Sequence, residues 1–132
     1  MKNKLVLFGL TIFIAVWTIG CNDAKMGYVT GKVLIDGEPA PKGLTVRFHP
    51  QLPGSSFSTG VTDENGNYEM HFSLTKKGVQ TGSCRITIDN PEGDGAVRVV
   101  NIPVSYREGT DLLYDVKPGR QNYNIEISLK NK

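Results

Sequence analysis

Two histidines, two cysteines and one acidic turn are the side chains of this chain best placed by type to do chemistry. His49 and His71 both fall at outward positions of alternating, strand-like runs, where a solvated histidine is the ordinary outcome. A shared catalytic or ligand site would need one of them within about 4 Å of Arg47, Arg85 or Arg107. Cys84 alternates with Ile86 and Ile88, so it faces inward. A thiol nucleophile needs a base within hydrogen-bond reach, and His71 has the opposite parity. Cys84 therefore reads as a buried structural cysteine. Asp63-Glu64-Asn65-Gly66-Asn67 has the look of a calcium loop, but the twelfth position from Asp63 is Leu74, where such loops carry a bidentate glutamate. A β-turn accounts for the same residues. No catalytic residue, no metal ligand set and no cofactor is assigned.

The elements that must position these residues are short strands. Ser58–Phe72 carries two alternating runs around Asp63–Asn67, and Asn65-Gly66 tolerates the positive φ of a tight turn, so the stretch reads as a β-hairpin. In its second arm Tyr68, Met70, Phe72 and Leu74 share a face. Before it, Tyr28–Ile35 places Val29, Val33 and Ile35 on one side and ends at the turn dipeptide Asp36-Gly37. Leu44, Val46 and Phe48 point inward from the next run, with Thr45, Arg47 and His49 outward. Pro50–Ser56 is a Pro/Gly/Ser loop. Ser83–Asp89 alternates again, and Val97–Ile102 reads as a short strand stopped by Pro103. Leu112–Val116 and Asn122–Leu129 complete the set, the last with Tyr123, Ile125, Ile127 and Leu129 on one face. No segment shows a 3.6-residue period. About seven short strands separated by turns predict an all-β, antiparallel sandwich.

The N-terminus has a different character. Lys2 and Lys4 precede an apolar run, Leu5–Ile19, the layout of a secretory signal. As a helix this run would cover about 22 Å, short of the roughly 30 Å hydrocarbon core. Ile19-Gly20-Cys21 resembles the bacterial lipobox, with Thr18 where an aliphatic residue is usual. The resemblance implies cleavage between Gly20 and Cys21 and a diacylglyceryl thioether on Cys21. One acyl chain anchors only marginally and two or three anchor stably. The competing use of Cys21 is a disulfide to Cys84, since two cysteines in an exported chain invite pairing. The domain organisation is then a lipoprotein signal peptide (1–20), a tether (21–27) and one domain (28–130).

Within that domain, Val29-Thr30-Gly31-Lys32-Val33, Asp36-Gly37-Glu38-Pro39, Val46-Arg47-Phe48 and Thr62–Tyr68 resemble the carboxypeptidase regulatory-like (transthyretin-like) domain. Ile102-Pro103, Tyr106, Val116–Gly119 and Asn122 fit the version found in small bacterial lipoproteins. The resemblance implies a seven-stranded prealbumin-like, Ig-like β-sandwich after an N-terminal signal helix. Thr81-Gly82-Ser83-Cys84 departs from the family, which tends to carry Pro-Gly and an aromatic there. The peptidases behind the family name bind zinc through His-x-x-Glu, whereas His49 and His71 are each followed at the third position by leucine. A transthyretin-like hydrolase ends in Tyr-Arg-Gly-Ser, of which Tyr106-Arg107-Glu108-Gly109 is a loose, mid-chain echo.

Composition narrows the function classes. Removing residues 1–20 takes two of the 15 basic side chains and none of the 13 acidic ones, so the remaining chain is neutral. A neutral chain without a basic run lacks the electrostatic footprint of a nucleic-acid binder. The expectation is a non-catalytic, exported module held at the cell membrane or outer membrane through Cys21. It would bind a protein or glycan through Pro50, Gln51, Leu52, Pro53, Tyr106 and Arg107, or through an edge strand in the Gly93–Pro103 region. The alternatives are a small transthyretin-like hydrolase and a carbohydrate-binding module using Tyr28, Tyr106 or Tyr114.

Overall fold

The computed structural model describes residues 25–109 and 112–129. The leader, Gly20, Cys21 and most of the tether lie outside the described residues.

Strand β1 (Met26–Ile35) is the spine of the first sheet. It begins two residues before the expected start, because Met26 and Gly27 pair with Gln80 and Val79 despite having no apolar period of their own. Along one edge β1 is met antiparallel by β2 (Glu38–Pro39), β5 (Asn67–Glu69) and β6 (Val79–Gln80). Along the other edge run β9 (Gly119–Asn122) and β10 (Ile125–Ile127), both parallel to β1. The turn from β1 to β2 has positive φ at both Asp36 (49°) and Gly37 (85°), the primed geometry that matches strand twist. The second sheet is antiparallel throughout, in the order β4 (Ser58–Val61), β3 (Thr45–Pro50), β7 (Gly82–Asp89), β8 (Leu113–Val116). The molecule is thus mostly β, in two facing sheets, and antiparallel except where the C-terminal strands join β1.

Alternation decides what lies between the sheets. Val29 and Val33 of β1, Ile125 and Ile127 of β10, and Tyr68 and Met70 face Leu44, Val46 and Phe48 of the β3 run and Cys84, Ile86 and Ile88 of β7; all are buried. Each large apolar side chain so buried contributes about 1.5–3 kcal/mol. Phe48 sits at the centre, with the rings of Tyr68, Tyr114 and Tyr123 at 6.5, 6.2 and 6.4 Å.

Several expected elements take another form. The two arms flanking Asp63–Asn67 do not make a hairpin: β4 pairs with β3 in one sheet and β5 with β1 in the other. Between them there is a single bridge, Thr59 with His71. The turn itself forms as expected, with Asp63 Oδ1 accepting from the amides of Asn65 and Asn67, both at 2.9 Å. It is the corner by which the chain changes sheet. Val97–Ile102 is not a strand, because the Asn90 side chain takes the place of a partner strand. Its amide donates to the Val100 carbonyl (2.7 Å) while its carbonyl accepts from the amides of Val99 (2.8 Å) and Val100 (3.0 Å). After Pro103 comes a one-turn helix, α1 (Val104–Glu108), closed by Gly109 at φ 68°. Five residues are too few to show a helical period in sequence. The last predicted strand is broken at Tyr123-Asn124, although the register on β1 is the same before and after the break.

Candidate functional site

The outer face of the four-stranded sheet carries the chemistry that alternation leaves pointing away from the core. Arg47 and His49 stand on β3, Arg85 and Thr87 on β7, and Arg107 and Glu108 at the end of α1. Together they line one shallow cleft of ≈ 500 Å³. Pairing sets this: His49 lies directly across from Arg85, and Arg47 across from Thr87. The helix is brought alongside β7 by Gly109, where a Cβ would strike the Ile86 carbonyl and the Arg85 side chain.

His49 Nε2 lies 3.0 Å from Thr87 Oγ1. Partial burial, then the Arg85 and Arg47 charges, hold its imidazole below its ordinary pKa, so it is neutral at pH 7. Arg47 is ion-paired with Glu92, whose carboxyl is held below its ordinary value by that hydrogen bond. The guanidinium groups of Arg85 and Arg107 have no ion-pair or hydrogen-bond partner among the described residues. Toward the β4 edge, Phe57 continues the surface: its ring is 5.6 Å from that of His49, and the Arg47 guanidinium carbon is 5.9 Å from its centroid.

A second, apolar hollow of ≈ 790 Å³ lies beyond Phe57, lined by Ser56, Phe57, Thr59, His71, Phe72 and Leu74. Leu74, at the tip of the 71–77 excursion, is fully exposed. His71 lies here, 3.3 Å from Glu69, rather than in the arginine cleft. This end of the molecule is also where the described chain begins. The Thr81 amide donates to the Lys25 carbonyl (2.9 Å), and the Ser56 amide donates to the Gln80 side chain (3.0 Å).

The expected binding residues separate. Gln51, Leu52 and Pro53 are exposed on the loop after β3, while Pro50 ends that strand and is half-buried. Arg107 points into the arginine cleft, but Tyr106 turns inward and its hydroxyl accepts from the Ser128 amide (3.2 Å). The Gly93–Pro103 region offers no strand edge. Among the tyrosines, Tyr28 is half exposed, while Tyr114 stacks on Tyr123 at 4.2 Å and donates to Gln121 (2.9 Å). Cys84 is a free thiol, fully buried. Among the described residues no group of three or more His, Cys, Asp or Glu could hold a metal ion. Nor is any helix among them long and apolar enough to cross a membrane.

Arg47, Arg85 and Arg107 are the arginines the sequence named as partners for a histidine site; what it did not give is that they line one cleft with His49 rather than with His71. The usable signal was the outward parity of Arg47, His49 and Arg85 on their strands; the pairing that joins them, and the helix that brings Arg107, were not visible. Comparison with protein-family models, with curated proteins and with solved structures finds no match to this chain.

Proposed function

We propose that the protein is an exported, lipid-anchored, non-catalytic β-sandwich module that presents a binding surface at the cell envelope. The observation that carries this reading is the match between the chain's leader and one end of the fold. Cys21 follows the apolar run Leu5–Ile19, and only residues 22–25 separate it from β1. Four extended residues reach about 14 Å at most. The end of the sandwich that such a tether would hold against a bilayer is the end that exposes Leu52, Phe57 and Leu74. Exposed Lys25 starts the described chain at that end, and Lys76 lies over the Phe72 ring. Apolar tips with lysine beside them suit an anionic membrane surface.

The prealbumin-like, seven-stranded form of the fold belongs to the same reading. It is supported by the continuity of β9 with β10 and of β5 with β6 along the edges of β1. With each pair taken as one interrupted strand and the two-residue β2 set aside, seven strands remain. The resemblance to carboxypeptidase regulatory-like domains is retained as part of this proposal. A small hydrolase is the second reading, favoured by the convergence of His49 with the arginines.

The test is mass spectrometry of the protein extracted from its native membranes, beside a Cys21→Ser variant. A mature chain beginning at Cys21 and heavier by a diacylglyceryl group supports the anchor. An intact leader, or Cys21 bound to Cys84, overturns it.

A further inference from the structure

The cleft at His49 is arranged against its own stability. Like charges gathered on neighbouring elements are destabilising, and here Arg47, Arg85 and Arg107 line one cleft around the neutral ring of His49. Only Arg47 is compensated, by Glu92. Glu108 lines the cleft yet forms no ion pair with Arg85 or Arg107 among the described residues. Two guanidinium groups are left with ten N–H donors between them (five each) and no protein acceptor. They come from different elements, so no local turn chemistry accounts for their approach.

We propose that this cleft binds an oxyanion, a phosphate or carboxylate group, held between Arg85 and Arg107 above the His49–Thr87 pair. Guanidinium forks match the planar edge of such groups and bind them in bidentate fashion. The Thr87 hydroxyl and the neutral His49 ring supply further polar contacts at the floor. Glu108 lines the same cleft and Glu92 pairs with Arg47, which disfavours a bare, highly charged polyanion and favours a single anionic group on a larger polar molecule. The cleft volume leaves room for such a remainder. The site needs neither the lipid anchor nor the family resemblance, so its test is independent of theirs.

The test is an NMR titration of the His49 ring in the full chain in detergent, with the signal assigned through His49→Gln. Inorganic phosphate and acetate are added separately at pH 7.5, with sodium chloride at matched ionic strength as control. Saturable movement of the His49 signal with phosphate or acetate, but not with chloride, is expected, and the stronger of the two anions identifies the group. Arg85→Gln and Arg107→Gln should each weaken binding about five- to tenfold. Arg85→Lys should recover part of it, and Arg120→Gln on the other sheet should change nothing. A response equal to that of chloride, or one untouched by both arginine variants, would show a merely solvated basic face and overturn the site.

Discussion

His49 and Arg85 oppose each other across the β3–β7 ladder, so the imidazole must stay neutral or share its strand pair with a second positive charge. Burial, Arg85 and Arg47 together push its pKa below the ordinary 6.5. The unfolded chain therefore takes up a proton near pH 6.5 that the folded chain resists. With more protons bound in the unfolded state, stability falls as pH drops through 6.5, and the loss levels off only below the folded pKa. Arg47, Arg85, Arg107 and Glu108 are the charged groups facing the ring. Denaturant midpoints at pH 7.5 and 5.5 should fall further for the native chain than for His49→Gln. Equal falls would mean that the cluster does not hold His49 neutral.

Cys84 lies between the sheets beside Ile86 and Ile88, and burial followed by the nearby Asp115 charge pushes its thiol up to about 11. At pH 8 about one thiol in a thousand is ionised, and that fraction has no path to solvent. Iodoacetamide should leave the folded protein unmodified at Cys84 for hours and label it at once in denaturant. Peptide mass mapping after each treatment reads the difference. Rapid labelling of the folded chain would mean that β7 opens far more readily than its place in the middle of the sheet allows.

These outcomes also show what a single chain of letters carries. Period-two alternation reports which face a residue takes, and it placed Leu44, Val46, Phe48, Cys84, Ile86 and Ile88 correctly in the core. It does not report which strand lies alongside. The runs on either side of Asp63–Asn67 have the pattern of a hairpin, and the turn residues form the turn, yet each run joins a different sheet. The same limit hid the candidate site. Arg47 and His49 were legible as outward neighbours on one strand, and Arg85 as outward on another, but only the register makes His49 face Arg85. Arg107 was further from reach, because its position depends on a helix of five residues. Thr45, predicted outward, is buried at the first position of β3, between Val61 and Asp89 on the neighbouring strands.

Ser58 opposes Phe48 at the start of β4, and its Oγ is buried with no hydrogen-bond partner among the described residues. An unpartnered buried hydroxyl loses its hydration without compensation. Ser58→Ala should therefore leave stability unchanged or raise it by up to about 1 kcal/mol, in contrast to most core substitutions. Urea unfolding gives the comparison directly. A loss above about 1 kcal/mol would show that the hydroxyl has an energetic role that its surroundings do not explain.

Gly31 lies where β1 passes the break between β9 and β10. A Cβ there would fall on the Tyr123 carbonyl and close to the Tyr68 hydroxyl, which donates to that same carbonyl. The break is otherwise well satisfied: the Tyr123 amide donates to the Thr30 carbonyl (2.8 Å), and the Lys32 amide donates to the Asn124 side chain (3.0 Å). Gly31 has an ordinary φ, so the constraint is space rather than backbone strain. Gly31→Ala should cost about 3 kcal/mol or more, since the atom to be displaced is backbone held by two neighbours. Tyr68→Phe alone should cost about 1–2 kcal/mol for the lost hydrogen bond. In the double variant the phenol oxygen is gone and the carbonyl is free to shift away from β1. The two losses should then sum to more than the double variant shows, a coupling that urea unfolding of the four proteins measures. Simple additivity would place the clash elsewhere than at the Tyr123 carbonyl.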